Sequence, residues 1–423
     1  MHVTFAEATR VWARVAAQSF GGPAGQIAVM HRILVDEKKW VTETQFLHAL
    51  NFCMLLPGPE AQQLATYIGW LLHGVRGGLV AGCLFVLPGY LAILGLSALY
   101  AGYHQVPLVQ ALFYGLKPAV LAVVVEAVFR VGKKALKNNL MRLIALAAFG
   151  SLFLFNLPYP LVVVGAALIG LFGNRLWPAR FQVLRGHQVA DEATTPAPPL
   201  ARSLATVLIW LAIWLGPLLA IVLATGQGSV FSQLGIFFSK LAVVTFGGAY
   251  AVLAYMAQEA VATYGWLAPG EMLDGLGLAE TTPGPLIQVV GFVGYLGAYR
   301  HPGGLEPWMA GVLGSTLATW CTYAPCFLWI FTGAPYIQWL RHRTALNAAL
   351  SAITAAVVGV ILNLAVWFGL HTLFSQGSAL DPFALLLSLA AMLALLRFHV
   401  GILPTMTVCG LVGLVGKLLI PGL

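Results

Sequence analysis

The sequence predicts an all-α polytopic membrane protein made of two inverted-topology repeats, each combining re-entrant, broken-helix hairpins with full transmembrane helices. Three observations predict it. Charge is scarce, the chain repeats its own motifs 226 residues on, and basic residues change loops between the two halves.

The composition is 60% hydrophobic and 9% charged, with a mean hydropathy of +0.87, whereas soluble domains are about a quarter charged. Residues 78–101, 108–129, 203–225, 304–331 and 346–370 are apolar runs, long enough to span a hydrocarbon core, which takes about 20 helical residues. The bilayer is therefore the first partner. The net charge of +8 follows from the gathering of Lys and Arg in cytoplasmic loops, and no nucleic acid is expected, because no soluble domain is present to hold it. No signal peptide is read at the start: Arg10 and Arg14 come late, and Gly21-Gly22-Pro23 interrupts the apolar stretch. The five cysteines form neither a disulfide framework nor a CxxC pair and read as buried apolar residues. His31, His48 and His73 lack ligand spacing, so neither metal nor cofactor is expected.

A self-comparison aligns residues 20–79 with 246–305 without a gap, with 16 of the 60 positions identical. "SFGGPAGQIAVM" (19–30) falls on "TFGGAYAVLAYM" (245–256), Trp40 on Trp266, and Pro57-Gly58-Pro59 on Pro283-Gly284-Pro285. The expected organisation is a first repeat over 1–173, a polar, proline-rich linker over 174–202, an extra transmembrane helix over 203–226 and a second repeat over 227–423. Internal duplication of this kind is common in secondary transporters, whose sites lie at the repeat interface.

Charge decides the orientation. Arg32, Lys38, Lys39, Arg130, Lys133, Lys134, Lys137 and Arg142 lie in first-half loops whose second-half counterparts, 257–265 and 370–380, contain no Lys or Arg. Arg341, Arg343 and Arg397 lie in second-half loops whose first-half counterparts, 104–107 and 153–157, have none. Positive residues mark the cytoplasm, so the halves face opposite ways. Lys38, Lys39 and Arg76 share a side, which makes 46–73 a re-entrant hairpin broken near Pro57-Gly58-Pro59. Residues 5–34 read as a second hairpin, broken at Gly21-Gly22-Pro23, and the second half repeats both from the other side.

Irregular backbone at membrane depth is tolerated only where it is buried in protein or lines a polar cavity. A half-helix that starts there presents orphan N–H groups and the positive end of its dipole, a ready anion site. Four such starts are expected: Gly21, Gly22 and Pro23; Gly58 and Pro59; Gly247 and Gly248; Gly284 and Pro285. The prolines are read as first helical residues, where a missing N–H is harmless. Gln26, Gln62 and Gln288 lie about a turn further in as amide donors, and Thr281 and Thr282 add hydroxyls.

"FGGPAGQIAVM", "LLPGPEAQQLATYIGW", "RGGLVAGCLFVLPG" and "GLKPAV" in the first half resemble the chromate transporter family, as do "VVTFGGAYAVLAYMAQ" and "LGLAETTPGPLIQVVGFVGY" in the second. The resemblance, to the long two-domain bacterial form, covers nearly the whole chain outside the linker. It implies a multi-pass carrier of the cell inner membrane that moves chromate, with sulfate as mimic, and gives resistance by efflux. The second half departs from the pattern, with Ala249 in place of proline. Homodimerisation stays open.

Charged residues at depth break the repeat. Glu60 corresponds to Leu286, Lys117 to Thr354 and Glu126 to Asn363. Lys117 reads as a substrate countercharge or a coupled proton site, or else as the salt-bridge partner of Glu60 or Glu126. Glu60 and Glu280 are the candidate proton-coupling carboxylates. No HExxH, GxSxG or Walker A pattern is present, so the chain reads as a carrier and not an enzyme. The rivals are an importer of sulfate or another oxyanion on the same scaffold, and an intramembrane enzyme acting on a phosphorylated lipid.

Overall fold

The computed structural model describes residues 3–20, 22–181, 200–246, 249–336, 344–374 and 379–420, and among them it is helical with no strand. The first half runs α1 (Phe5–Gln18), α2 (Gly22–His31), α3 (Glu43–Cys53), α4 (Glu60–Tyr103), α5 (Pro107–Ala135), α6 (Asn139–Phe153), α7 (Tyr159–Leu176) and the short α8 (Pro178–Phe181). A single helix, α9 (Leu200–Thr225), separates the halves. The second half runs α10 (Val230–Val244), α11 (Ala249–Gln258), α12 (Glu271–Thr281), α13 (Val289–Arg300), α14 (Pro307–Gly333), α15 (Thr344–Leu373), α16 (Pro382–Leu396) and α17 (Ile402–Leu419). α2 and α11 both end in a π-helical turn, over Arg32–Glu37 and Glu259–Thr263, so the halves match in local irregularities as well as in order.

α4 shows how sequence sets topology. Its 44 residues would reach about 66 Å at 1.5 Å per residue, about twice the bilayer core. The chain instead reverses at His73 and Gly74, where the dihedrals leave the helical region (φ 59°, ψ −152° at Gly74). The two arms then pack back to back. A Cβ on Gly69 would lie 2.5 Å from the Gly77 carbonyl oxygen and 2.6 Å from Ala81 Cβ. α13 and α14 repeat this, with Gly294 against the Gly314 carbonyl and Ala318. Small residues that admit close backbone approach are the usual means of packing helices in lipid.

Surface contacts fix the sides. Lys38 meets Glu7 at 3.0 Å, Arg14 meets Glu37 at 2.8 Å, and His73 Nε2 lies 2.8 Å from the Val3 carbonyl oxygen. The outer ends of α1, α2 and the first arm of α4 therefore share one basic face. The second arm of α4 crosses to the other face, where Tyr100 donates to Asp274 at 2.8 Å and Arg300 pairs with Glu271 at 2.6 Å. The outer ends of α12 and α13 thus lie opposite those of the first-half hairpins, and the repeats are inverted. Six helices are long and apolar enough to cross a membrane. Among the described residues α6, α10 and α16 are shorter apolar helices of 15 residues each. The halves also interlock: Gly115 of α5 lies against Gly413 of α17, and Gly170 of α7 against Ala348 of α15.

Some boundaries differ from expectation. α7 and α8 carry helix past residue 174 to Phe181, α9 starts at Leu200, and residues 182–199 of the expected linker lie outside the described residues. Pro59 and Pro285 are N-caps, so each helical turn begins one residue later than expected. Cys83 is exposed on the outer surface of α4, contrary to the buried reading, while the other four cysteines are buried.

The four breaks meet in two pairs. Gly58 N–H donates to the Thr245 carbonyl at 2.8 Å, and Gly284 N–H donates to the Ser19 carbonyl at 2.8 Å. Gly58 and Gly284 are equivalent at the 226-residue offset, as are Ser19 and Thr245. Each acceptor is buried, and its hydroxyl turns back to its own helix, to Val15 and Leu241, both at 2.6 Å. Both glycines have φ values that other residues rarely adopt, 120° at Gly58 and 103° at Gly284.

Two predictions follow from this geometry. In a cysteine-free background, cysteines at Asp36 and Arg76 should be labelled by an impermeant thiol reagent from one side and a cysteine at Gly303 from the other; opposite labelling of 36 and 76 would refute the hairpins. A Cβ at Gly58 would sit 2.8 Å from Gln63 Nε2 and 2.9 Å from Cys326 Sγ, and one at Gly284 would sit 3.1 Å from Gly89 Cα. Gly58→Ala and Gly284→Ala should each lose about 1–3 kcal/mol of stability from backbone strain. Thermal melting in detergent measures this, and Cys326→Ala should recover part of the loss for Gly58→Ala only. Unchanged melting in both glycine variants would show that the breaks are not held in this way.

Candidate functional site

The site is built where the half-helices stop and restart. Gly22 opens α2 with φ 70°. One turn in, Gln26 is fully buried and its Nε2 donates to the Gly284 carbonyl at 2.5 Å. Gln26 thereby reaches from the first repeat to the Pro-Gly-Pro break of the second. Pro23 is half-buried beside it, and Gly21, Gly247 and Gly248 lie outside the described residues.

At the α3–α4 break, Gly58 and Pro59 are buried. Gln62 donates to Thr66 Oγ1 at 3.1 Å, and Gln63 to the Pro57 carbonyl at 2.6 Å. In the second repeat, Gly284 and Pro285 are buried, and Gln288 donates to Thr319 Oγ1 at 3.0 Å. Thr281 and Thr282 are placed here too, but their hydroxyls donate to carbonyls of the preceding turn, Leu278 at 2.9 Å and Ala279 at 3.1 Å. They offer lone pairs to the site, not protons. The Gly58 and Gly284 N–H groups are likewise taken, by Thr245 and Ser19, which leaves the N–H groups of the first helical turns as the backbone donors.

Gln26, Gln62, Gln63 and Gln288 are each no more than 1% exposed, and each has an amide oxygen without a hydrogen-bond partner. An unsatisfied buried polar atom costs about 1–3 kcal/mol. Among the described residues, four such acceptors lie at the breaks.

Charge surrounds this region unevenly. Glu280, at the end of α12, is 3% exposed; it accepts from Tyr250 at 2.7 Å and leaves its second oxygen unpartnered. Arg130 of α5 lies 5.9 Å from the Tyr250 ring and pairs with Glu126 at 3.6 Å. Glu60 opens α4 and forms no salt bridge among the described residues. Glu126, Arg130 and Lys134 recur every four residues and so share one face of α5.

Lys117 partners neither Glu60 nor Glu126; it faces Asp274 of α12 at 3.6 Å. The reason is distance along α5: nine residues separate it from Glu126, about 13 Å of helix. It lines a cavity of about 900 Å³ on the face opposite the basic one, together with Tyr100, His104, Glu271, Asp274 and Lys417.

Sequence reading missed Gln63, Tyr250, Asp274 and Tyr100. Asp274 carried a signal, a carboxylate within the apolar stretch of α12. Gln63 sits beside a glutamine that repeats while it does not, and Tyr250 looks like an ordinary core aromatic until Glu280 is placed against it.

Comparison with known proteins agrees with this architecture. The family described as chromate transporter matches residues 6–171 and again 232–414. The chain is 30% identical over 386 residues to the chromate transport protein of Cupriavidus metallidurans, covering 91% of this chain and 86% of that one. It is 33% identical over 351 residues to the chromate transport protein of Pseudomonas aeruginosa, covering 81% and 76% respectively. An uncharacterized transporter of Methanocaldococcus jannaschii is 24% identical over 352 residues, covering 83% of this chain and 81% of that one. No solved structure matches the chain significantly. With the family matched over both halves and relatives of this identity along most of its length, the chain belongs to the chromate transporter family.

Proposed function

We propose that this chain is a secondary active carrier that moves chromate, with sulfate as its mimic, across the cell inner membrane, and that efflux of chromate gives resistance. The observation that carries the reading is the set of buried glutamines at three of the four breaks, where Gln26, Gln62 and Gln288 each spend one amide hydrogen on a protein acceptor and keep a second. A tetrahedral oxyanion presents acceptor oxygens in several directions. Helix starts supply N–H groups and a favourable dipole from opposite sides, and the second amide hydrogens of Gln26, Gln62 and Gln288 complete the shell. Inverted repeats make this shell reachable from either face by small movements of one repeat against the other.

The carboxylates give a means of coupling. A fixed anion about 5 Å from one charge of a dianion costs roughly 3 kcal/mol at an effective dielectric near 20. A carboxylate beside the bound oxyanion therefore takes up a proton with it. Glu280 is buffered by the Tyr250 hydroxyl and the neighbouring Arg130. Glu60, without a salt bridge among the described residues, is the first candidate for the coupling group, and Glu280 the second.

Counterflow of radiolabelled chromate in proteoliposomes tests the reading. Saturable exchange, inhibited by sulfate, is expected; a lipid-phosphate enzyme would show none. Gln26→Ala and Gln288→Ala should each weaken chromate affinity about tenfold or more, since hydrogen bonds to charged groups are worth about 1.5–3 kcal/mol. Glu60→Gln should keep chromate–chromate exchange and lose proton-driven accumulation. Wild-type accumulation with an unchanged pH profile in that variant would remove Glu60 from the mechanism.

A further inference from the structure

The cavity of about 900 Å³ opens on the face opposite the basic one, past exposed residues such as Gln110 near the start of α5. Its inner wall includes Tyr100 of α4, Phe113 and Lys117 of α5, and Asp274 of α12. Behind that wall lies the second break. Phe292 of α13 is one turn beyond Gln288, and its ring meets Tyr100 edge-on, with centroids 5.1 Å apart. Phe113 meets the same tyrosine edge-on, also at 5.1 Å. Along α4, Ile93, Ser97 and Tyr100 are spaced to share one helix face, and all three are buried. A Cβ on Gly291 would lie 3.3 Å from Ile93 Cγ2 and 3.1 Å from Gln288 Nε2. The stripe therefore runs from the break to the cavity, and Tyr100 closes its outer end.

This closure is made across the repeats. Tyr100, Phe113 and Lys117 belong to the first, Asp274 and Phe292 to the second. Tyr100 donates to Asp274 Oδ2 at 2.8 Å. Lys117 Nζ lies 3.6 Å from Oδ1, which has no hydrogen-bond partner among the described residues. Lys117 Nζ also lies 3.0 Å from where a Cβ would sit on Gly270, the N-cap of α12. A cation there meets the positive end of the helix dipole, which weakens its hold. A buried ion pair gains little net free energy, because both charges give up hydration to meet; when the repeats part and water enters, both recover it. Arg300, by contrast, holds Glu271 through two hydrogen bonds, at 2.6 and 2.7 Å, within the second repeat. Movement of one repeat against the other leaves that pair whole. Here opening breaks one hydrogen bond, one loose ion pair and the Tyr100–Phe292 contact.

We propose that Tyr100, tied to Asp274 and backed by Phe113 and Phe292, is the gate between the outer cavity and the second break. The cavity is then the vestibule through which the anion reaches or leaves that break, and Lys117 positions Asp274 in the closed state. This rests on the carrier reading above, in which the breaks are reached from either face, but its test needs no transported anion.

The test applies an impermeant thiol reagent from either face to the reconstituted, cysteine-free full-length protein carrying one new cysteine. Gln110→Cys, in the vestibule, should be labelled rapidly from the face opposite the basic one, and Ser97→Cys, behind the gate, slowly. Tyr100→Phe, Asp274→Asn or Tyr100→Ala, added to Ser97→Cys, should raise its labelling from that face about tenfold or more, the weight of one hydrogen bond to a charged group. Labelling from the basic face should not change. Tyr100→Phe and Asp274→Asn barely alter side-chain volume, so they decide the matter even where Tyr100→Ala fails to fold. Unchanged labelling in both overturns the gate, as does an equal rise from the two faces or a Gln110→Cys that resists the reagent. Failed chromate counterflow with the expected labelling overturns the carrier reading alone; normal counterflow with unchanged labelling overturns the gate alone.

Discussion

Two reciprocal backbone hydrogen bonds, Gly58 to Thr245 and Gly284 to Ser19, set the terms for the rest of the molecule. Where a helix stops inside a membrane, its last carbonyls and the next helix's first N–H groups have no water to turn to, and leaving them unpaired costs several kcal/mol. Here the carbonyl freed at the end of α1 or α10 meets the N–H of a Pro-Gly-Pro loop from the other repeat. Neither repeat satisfies its own breaks by this route. The two repeats therefore close each other's breaks, each loop reaching the other's stop.

That constraint also places the chemistry. Each Pro-Gly-Pro loop rests on a helix of the opposite repeat, Gly58 near Cys326 of α14 and Gly284 near Gly89 of α4. The glycines admit this approach both by having no side chain and by reaching positive φ. Once the loops are seated, Gln26 of the first repeat reaches the Gly284 carbonyl of the second. The backbone is nearly symmetric there, and the charge is not. α5 of the first repeat carries Lys117, Glu126, Arg130 and Lys134, whereas α12 of the second carries Asp274 and Glu280.

The contact between α5 and α12 joins the two regions. Near one face it is made by Lys117 and Asp274, and deeper in by Arg130, Tyr250 and Glu280. One helix of 11 residues, ending just before the Pro283-Gly284-Pro285 break, thus carries Asp274 near its start and Glu280 near its end.

Much of this was legible in the amino-acid order. Hydropathy sets the membrane class, the 226-residue offset sets the repeat, and the Lys and Arg bias sets the inversion, because each is a property of composition or spacing that survives without coordinates. Gly-Pro punctuation beside Gln26, Gln62 and Gln288 likewise marked the breaks, since proline and glycine act locally on the backbone. Three things waited for the tertiary structure. The reversal at His73 and Gly74 turned one continuous apolar stretch into two antiparallel arms. Lys117 found Asp274, 157 positions away, in place of either expected glutamate, and the Gly58 and Gly284 N–H groups went to the opposite repeat. Charge pairing and donor assignment depend on which helices come within a few ångströms, and sequence spacing carries no such distance between separate helices. The sequence by itself determined the membrane fold, its doubling and the location of its breaks; the packing of α4, α5, α12 and α14 alone decided how its polar groups are paired.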